Sequence, residues 1–531
     1  MGLLMPTPDP TTYVTRGLEL LEQAQFQPAS TCFEQALELD PDHRIAIRYY
    51  GWTLFSLGRH DAALARFDQA LAFDADDAEV LNARGSALAE LKRYEEAVVS
   101  YTQAISRRAD FAAAYSNRGN VHAACGRIDA AIDDYQEALR LDPALSAAHF
   151  NLGNAQRERG ELETAVHCYE RALNLEPDHA EALCNRGLAL EALNRLPEAR
   201  ASYDRALAGR PHFAEAHLNR AFCRLLEGDL AGGFADFEWR FATAARVLSC
   251  EPPKVPRWQG EDIRGRAILV QAEQGLGDCL QFCRYLPTLA RRAAHVVFEV
   301  PESLVALMGS LAGQVQVLAH GQQRPAVDCW VPLLSLPLCF ETRLESVPAA
   351  PRYLSSVAHQ ARRWEERLGQ RHGLRVGLVC SGSAQHSNDR DRSIGLGELL
   401  GYLPPDHQYV MVQKELRAAD RAALEGSGRV IDVSAELHDF SDTAALCDSL
   451  DLLISVDTSV AHLAAALGRP TWLLLAHHPD WRWLLEREDS PWYPTVRLYR
   501  QAVRGQWSGP LARLRNDLYQ HANPRWGVAP P

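Results

Sequence analysis

The sequence predicts an α-helical solenoid of repeats followed by an α/β region made of two compact halves. Three observations support this. A 34-residue period runs through the first half of the 531-residue chain, short apolar runs alternate with helical segments in the second half, and the proline-rich stretch 251–258 separates the two. The composition, 47% hydrophobic and 23% charged, is that of a globular protein.

Five sets of residues recur at a spacing of 34 positions; four of them fill six periods, and in the proline set Ala75 and Ala109 take two of the six places. Small residues are expected where paired helices approach closely, the aromatic fills the groove between them, and proline follows the second helix. The sets are Gly17, Gly51, Gly85, Gly119, Gly153 and Gly187; Ala29, Ala63, Ala97, Ala131, Ala165 and Ala199; Phe33, Phe67, Tyr101, Tyr135, Tyr169 and Tyr203; Ala36, Ala70, Ala104, Ala138, Ala172 and Ala206; and Pro41, Pro143, Pro177 and Pro211. This is the tetratricopeptide signature, and it predicts an array over 10–245 with six clear repeats and a degenerate seventh.

Asparagine recurs in the later repeats, two positions before the glycine set. The positions are Asn117, Asn151, Asn185 and Asn219, whereas Thr15, Tyr49 and Ala83 stand there in the first three repeats. Each amide offers a donor and an acceptor, so the ladder predicts binding of an extended acceptor peptide on the concave face. The alternative is that asparagine is common at this repeat position and caps local backbone. The ladder resembles that of the nucleocytoplasmic O-linked N-acetylglucosamine transferase.

The second half reads as alternating strands and helices, which predicts parallel sheets. We expect one half at 251–355 and a second, nucleotide-sugar-binding half at 373–520, joined by a helix near 357–369. Ligands of such folds bind at the carboxyl ends of the strands, here in the cleft between the halves. The predicted strands are 267–272, 295–300, 315–318, 374–380, 409–413, 430–433, 452–456 and 471–475.

One motif, QGLGD at 274–278, directly follows the first predicted strand. Gly275 and Gly277 permit a tight turn with backbone exposed to a ligand. Asp278 starts the next helix, either as a residue facing the cleft or as a helix cap. Glu273, five residues earlier, is a rival acidic group in the same turn.

A second motif, ISVDTSVAHLAAALGRPT at 454–471, joins a strand to a helix. The amides of Thr458, Ser459 and Val460 stand at the helix N-terminus and predict an anion site. His462 lies one turn further on, either reaching the same anion or packed between helix and sheet. Asp457 precedes the amides.

The second motif is very similar to the donor-diphosphate motif of the lipopolysaccharide heptosyltransferases, glycosyltransferase family nine, and GLGD resembles that family's opening segment. The resemblance covers roughly 266–500 and implies a GT-B fold of two Rossmann-like domains. It implies that Asp278 is the general base, that Thr458, Ser459 and Val460 hold the nucleotide diphosphate, and that Asp457 lies near the donor sugar. It also implies an inverting enzyme that uses no metal.

One departure from the family concerns the segment 381–393, where these enzymes carry a lysine that neutralises the leaving phosphate. Here the segment has no lysine, and Arg392 or Arg390 supplies the charge if the segment contacts phosphate, with Ser381, Ser383 and His386 as further donors. The alternative is a polar surface loop whose charges pair with one another.

Aromatic residues follow the last predicted strand. Trp481, Trp483, Trp492 and Tyr493 either stack on a base or sugar or pack in the core.

The combined architecture is similar to bacterial repeat-containing glycosyltransferases, including those that modify flagellin, in which the repeats hold the protein acceptor. We therefore expect a metal-independent, inverting transferase that moves a sugar from a nucleotide donor to a serine or threonine hydroxyl. The alternatives are a non-catalytic repeat scaffold and a lipopolysaccharide-type glycan transferase. The nucleotide, sugar and acceptor are not specified by the sequence.

Charge and composition limit the partners and the compartment. The net charge is −13, of which −12 falls in 1–250, which argues against a nucleic-acid partner. The most apolar stretch, 330–340, contains two prolines and is far shorter than the ~20 residues that span a bilayer. The start lacks signal-peptide character, and twelve scattered cysteines favour reduced thiols in the cytoplasm.

Overall fold

The computed structural model describes residues 9–243, 248, 250–311, 315–384 and 388–521. The chain divides into two compact units, with the boundary between Arg210 and Pro211. The first unit is an α-helical array, and the second carries the strands.

The described part of the first unit consists of antiparallel helix pairs, one pair for each 34-residue period. This confirms the predicted helical solenoid. The helices are α1 (Pro10–Glu22), α2 (Phe26–Leu39), α3 (Arg44–Ser56), α4 (His60–Phe73), α5 (Ala78–Glu90), α6 (Tyr94–Arg107), α7 (Ala112–Ala124), α8 (Ile128–Leu141), α9 (Ser146–Arg159), α10 (Leu162–Leu175), α11 (Ala180–Ala192) and α12 (Leu196–Gly209).

The recurring glycine and aromatic of each repeat face each other. A Cβ placed on Gly153 would lie 2.6 Å from Cε1 of Tyr169, and the other five glycines meet their own aromatic ring at 2.4–2.7 Å. The rings of Phe33, Phe67 and Tyr169 are fully buried, as are the alanines of the first alanine set. Close packing leaves no room for a larger side chain at these positions, which is why glycine recurs.

The ladder asparagines of the first unit are tied to the preceding repeat. The side-chain nitrogen of Asn151 donates to Oδ1 of Asn120 at 2.9 Å, and the hydroxyl of Tyr135 donates to the same oxygen at 2.9 Å. Asn185 repeats this arrangement on Asn154 at 2.8 Å. Two neighbouring repeats therefore orient each of these amides, and each keeps its own oxygen and a second N–H for a ligand.

The second unit begins with one more helix pair, α13 (Ala214–Glu227) and α14 (Leu230–Phe237), which a 3-10 helix continues over Glu238–Ala242. By sequence this pair is the degenerate seventh repeat. It belongs to the same compact unit as the sheets.

The first sheet of the second unit has four parallel strands in the order β3-β2-β1-β4. The strand at one edge, β4, overlaps the start of the apolar stretch 330–340, which the sequence analysis did not assign to a strand. The elements are β1 (Ala267–Gln271), α15 (Leu276–Phe282), α16 (Leu286–Ala290), β2 (His295–Val300), α17 (Glu302–Met308), β3 (Val315–Ala319), β4 (Cys329–Pro332) and α18 (Leu336–Cys339).

The second sheet has six parallel strands in the order β10-β9-β8-β5-β6-β7. Strand β10 also lay outside the predicted set. The elements are α19 (Ala358–Leu368), β5 (Arg375–Val379), α20 (Asp389–Arg392), α21 (Leu396–Tyr402), β6 (Gln408–Met411), α22 (Ala418–Ser427), β7 (Val430–Asp432), α23 (Phe440–Asp448), β8 (Leu452–Val456), α24 (Ser459–Ala466), β9 (Thr471–Leu475), β10 (Val496–Arg500) and α25 (Ser508–His521).

Two parallel sheets with helices between their strands confirm the predicted α/β architecture. All twelve cysteines are free thiols. Within the described part of the chain, every helix is too short or too polar to traverse a bilayer.

Candidate active site

A cleft of about 570 Å³ opens where the carboxyl ends of strands from both sheets meet. Because parallel strands end at the same edge of a sheet, the loops after β1, β5, β6 and β8 converge there. The residues that line the cleft include Gly275, Leu276, Ser381, Gly382, Ser383, Arg392, Gln413, Lys414, Glu415, Thr458, Ser459 and Val460.

The QGLGD loop leads from β1 into α15. The amide of Gly275 donates to Oδ2 of Asp278 at 2.8 Å, so the carboxylate caps the start of the helix. Gly275 and Leu276 line the cleft, while Asp278 stands one turn behind them with 17% of its side chain exposed. Gly277 packs against α24, since a Cβ there would lie 3.1 Å from Cδ2 of His462.

An ion pair joins Asp278 to the other half of the second unit. Nη2 of Arg482 donates to Oδ1 of Asp278, and its Nε donates to Gln281. Nη1 of the same guanidinium contacts both oxygens of Asp480 at 2.9 and 3.1 Å. Arg482 therefore holds carboxylates on two sides, and only 10% of its side chain is exposed.

Burial shifts the pKa values of the carboxylates around Arg482. It raises the pKa of Asp278, and Arg482 and the Gly275 amide oppose the rise. Burial, together with the Asp480 carboxylate, raises the pKa of Asp457 to about 6. A raised pKa makes a carboxylate a stronger base, which suits a group that takes a proton near neutral pH.

The rival carboxylate, Glu273, lies outside the cleft. Its two oxygens accept from Arg240 at 2.8 and 3.0 Å, and one also accepts from the amide of Leu334 at 3.0 Å. Its side chain is fully buried. This arrangement corrects the expectation that Glu273 competes with Asp278, because a hydroxyl substrate has no access to an enclosed, doubly paired carboxylate.

The β8–α24 motif lines the cleft with the start of its helix. Ser459 and Val460 begin α24, where first-turn amides have no acceptor within the helix. Thr458 occupies the N-cap position of this helix, without a capping hydrogen bond from its side chain, and also lines the cleft. The carbonyl of Asp457 accepts from Nη1 of Arg392 at 3.1 Å, so the predicted anion site and an arginine stand side by side.

His462 is packed away from the cleft, which was the alternative interpretation of this residue. Its Nδ1 is 2.8 Å from the hydroxyl of Tyr493, its ring stacks on Trp483 at 5.3 Å, and its Nε2 lies 3.8 Å from Oδ1 of Asp457. Burial and the charge of Arg482 lower the pKa of His462 to about 3, so the ring is neutral at physiological pH. It brings no positive charge to an anion.

The segment after β5 brings one of its two candidate arginines to the cleft. Arg392 lines it and packs against Gly382, where a Cβ would lie 2.4 Å from Nη2 of the guanidinium. Arg390 is exposed and lines a separate depression. The hydroxyl of Ser381, also at the cleft, accepts from Gln413 at 2.7 Å. His386 lies outside the described residues.

Sequence reasoning missed a lysine. Lys414 follows β6 and lines the cleft, with its Nζ donating to the carbonyl of His438 at 3.1 Å. The lysine lies one strand further along the chain than the segment 381–393, in which the family resemblance predicts the basic group. The signal was nonetheless present, because Lys414 directly follows the predicted strand 409–413.

The aromatic residues after β9 pack in the core. Trp481, Trp483, Trp492 and Tyr493 are all at most 6% exposed. None is among the described residues that line the cleft. They therefore support the site from behind and do not offer a stacking surface to a base.

The fold and the cleft define a helical-repeat protein with a two-sheet α/β domain of the kind that binds ligands between its halves. Comparison with protein families agrees. Overlapping segments between residues 14 and 238 match the tetratricopeptide repeat, and residues 411–496 match glycosyltransferase family 9 (heptosyltransferase). The chain thus combines tetratricopeptide repeats with a glycosyltransferase family 9 domain.

Among curated proteins, the chain is similar to Protein FlbA of Caulobacter vibrioides, with 27% identity over 328 residues. The match covers 56% of this chain and 53% of FlbA, so the chain spans about half the length of this curated relative.

The solved structures it resembles include Pseudomonas aeruginosa PilF (22% identity, 39% of this chain, 94% of that chain, TM-score 0.36). They also include the type IV pilus biogenesis factor PilW (22%, 39%, 96%, TM-score 0.37) and the tetratricopeptide protein YrrB (23%, 35%, 95%, TM-score 0.30).

Proposed function

We propose that this protein is a metal-independent, inverting glycosyltransferase of the GT-B type that transfers a sugar from a nucleotide donor to a serine or threonine of a protein. The observation that carries the proposal is the cleft itself. It combines the first-turn amides of α24 with two cations, Arg392 and Lys414, next to helix α15, whose first turn carries the partly buried carboxylate Asp278. Residues 411–496, which include one side of this cleft, match glycosyltransferase family 9, and this match supports glycosyl transfer as the reaction.

In the proposed reaction the acceptor hydroxyl attacks the anomeric carbon from the face opposite the leaving group. The new C–O bond forms as the bond between the anomeric carbon and the diphosphate oxygen breaks, and the electron pair leaves with the diphosphate. Asp278 takes the hydroxyl proton. Single displacement of this kind inverts the anomeric configuration.

Charge stabilisation falls to the opposite side of the cleft. The amides of Ser459 and Val460, with the Arg392 guanidinium and the Lys414 ammonium, stabilise the negative charge that develops on the departing diphosphate. An arginine here does the work that the missing family lysine would do, and its planar fork suits bidentate phosphate contact.

We propose that the repeats hold the acceptor, with the asparagine ladder as the contact. In the first unit, Asn151 and Asn185 are oriented by the neighbouring repeat and have hydrogen-bonding capacity to spare for a peptide backbone. The resemblance to flagellin-modifying enzymes makes flagellin the first acceptor to try. With free cysteines throughout, we place the protein in the cytoplasm.

The first test is the thermal stability of the full chain with CMP, UDP, GDP and ADP at millimolar concentration. A nucleotide at 100 times its dissociation constant adds about 2.7 kcal/mol to the free energy of unfolding. We expect one nucleotide to raise the melting temperature, and the matching nucleotide sugar to support transfer to a flagellin peptide. Absence of both a shift and transfer with every donor would refute the enzyme and favour the scaffold.

The ladder is tested separately by a triple variant, Asn117→Ala, Asn151→Ala and Asn185→Ala. We expect a higher KM for a protein acceptor with an unchanged dissociation constant for the nucleotide. Equal KM values in the variant and the parent would remove the ladder from acceptor binding and leave the donor site untouched.

A further inference from the structure

The last helix pair, α13–α14, contacts the α/β domain through hydrogen bonds and ion pairs next to Glu273, the residue that immediately precedes the QGLGD loop. Arg240, in the 3-10 helix that extends α14, forms the buried ion pair with Glu273 and also donates to the hydroxyl of Ser335 at 2.7 Å. One carboxylate oxygen of Glu238 accepts a hydrogen bond from Nη1 of Arg240 at 2.9 Å, and its other oxygen accepts one from Arg257. The pair is therefore part of the domain that holds the cleft, although by sequence it is a repeat.

One side chain of α14 reaches further into the domain. Phe234 is 2% exposed and meets two aromatic rings edge to face, Phe282 at 6.5 Å and Trp481 at 5.7 Å between ring centroids. Phe282 closes α15 in the first half, and Trp481 belongs to the segment after β9 in the second half. Phe234 thus packs against both halves at once.

The rings of Phe282 and Trp481 pack against the Asp278–Arg482 ion pair. Phe282 lies one helical turn after Asp278 on α15, so the two side chains share a face of that helix. The guanidinium carbon of Arg482 lies 4.4 Å from the ring centroid of Trp481 and 5.7 Å from that of Phe282. Phe234 therefore packs against the two rings, Phe282 and Trp481, that in turn pack against the ion pair.

We propose that Phe234 is a positioning residue of the transferase, which makes the seventh helix pair a working part of the catalytic site. This inference rests on the proposed function for its catalytic consequence. Phe234 acts through Phe282 and Trp481, and without it the base and Arg482 lose their fixed separation. The ring is too deeply buried to touch a substrate.

The size of the effect follows from packing. Phe234→Ala opens a cavity between the two halves, and the rings around it shift to fill part of the space. Misplacing a catalytic group by about 1 Å costs roughly 10- to 100-fold in rate, while a binding surface elsewhere in the cleft is unaffected. We expect kcat to fall by that factor, with the dissociation constant of the nucleotide within about twofold of the parent value.

The experiment compares Phe234→Ala with a control in the same helix pair, Phe222→Ala, whose ring is partly exposed. Phe222 lies in the same helix pair and contacts Phe237 at 5.8 Å. Hydrogen–deuterium exchange of the full chain is followed in segments 276–285 and 480–484, and kcat and nucleotide affinity are measured on the same samples. Phe234→Leu keeps most of the volume and should recover much of the lost rate.

The proposal expects faster exchange in both segments for Phe234→Ala only, together with the loss of kcat. Unchanged exchange, or equal changes in the two alanine variants, would overturn it. If the parent protein transfers no sugar from any donor, the proposed function fails. The exchange data still decide whether Phe234 holds the segments that carry the Asp278–Arg482 ion pair in place.

Discussion

Replacing Asp278 with asparagine removes the proposed base while keeping its shape. The carboxylate has two partners, the Gly275 amide at 2.8 Å and Nη2 of Arg482. An asparagine oxygen satisfies one of them, and Arg482 retains Asp480 at 2.9 Å and Gln281. Weakening one charged hydrogen bond costs about 1–3 kcal/mol, less than the 5–15 kcal/mol that typically separates folded from unfolded protein.

The rate should fall far more than the stability. General-base catalysis contributes roughly 10²- to 10⁴-fold, which corresponds to about 2.7–5.5 kcal/mol in the activation barrier. We expect single-turnover transfer by Asp278→Asn to slow by that factor. The melting temperature should fall by only a few degrees, and the shift produced by the nucleotide should remain close to that of the parent protein.

The matched control is Glu273→Gln, in the same loop. Glu273 is buried against Arg240, and breaking a buried pair by neutralising one partner costs several kcal/mol. This variant should therefore lose stability and keep its rate within about tenfold of the parent. If Asp278→Asn transfers sugar within tenfold of the parent rate, the base assignment is refuted, whatever the rate of Glu273→Gln.

Three further predictions concern packing, pH and charge. Gly153→Ala forces a methyl group to within 2.6 Å of Tyr169, so we expect a net loss of about 1–2 kcal/mol in urea unfolding after the gain in helix propensity, whereas Gly209→Ala, with open space around it, should be neutral or stabilising. Burial raises the pKa of Asp457, so its stabilising contribution is present at low pH and is lost as pH rises towards and past about 6; Asp457→Asn should flatten the fall in melting temperature between pH 5 and 7.5, and an unchanged slope would contradict this. Lys414→Gln should weaken nucleotide binding by roughly tenfold or more and Lys414→Arg much less, as measured by calorimetry; equal affinities in all three proteins would remove Lys414 from the donor site.

The helical array was predictable from sequence because its rules are local. Each glycine meets an aromatic ring sixteen residues later in the same repeat, and a fixed spacing within 34 residues records that contact directly. The eight strands identified by sequence were likewise short apolar runs with turn signals at their ends. Strands β4 and β10 were missed because β4 is only four residues long and ends at a proline, and because two of the five residues of β10 are arginines.

The candidate site was harder to predict, because its partners are far apart in sequence. Arg482 lies 204 residues from Asp278, and no local pattern links them. The same holds for Arg240 and Glu273, 33 residues apart across a predicted domain boundary. Sequence spacing identifies which loop reaches the cleft, but the choice between ligand contact and internal ion pair depends on packing between distant segments.

The contact between each glycine and its aromatic ring has an evolutionary consequence. Because both partners sit inside one 34-residue period, a repeat carries the whole of this steric fit with it when its coding segment is duplicated or deleted. For this contact, a change in the number of repeats therefore requires no compensating substitution in a neighbouring repeat. Contacts such as that between Arg240 and Glu273, which join a repeat-like helix pair to the domain that follows, are not contained in one period and would not be carried by such a duplication.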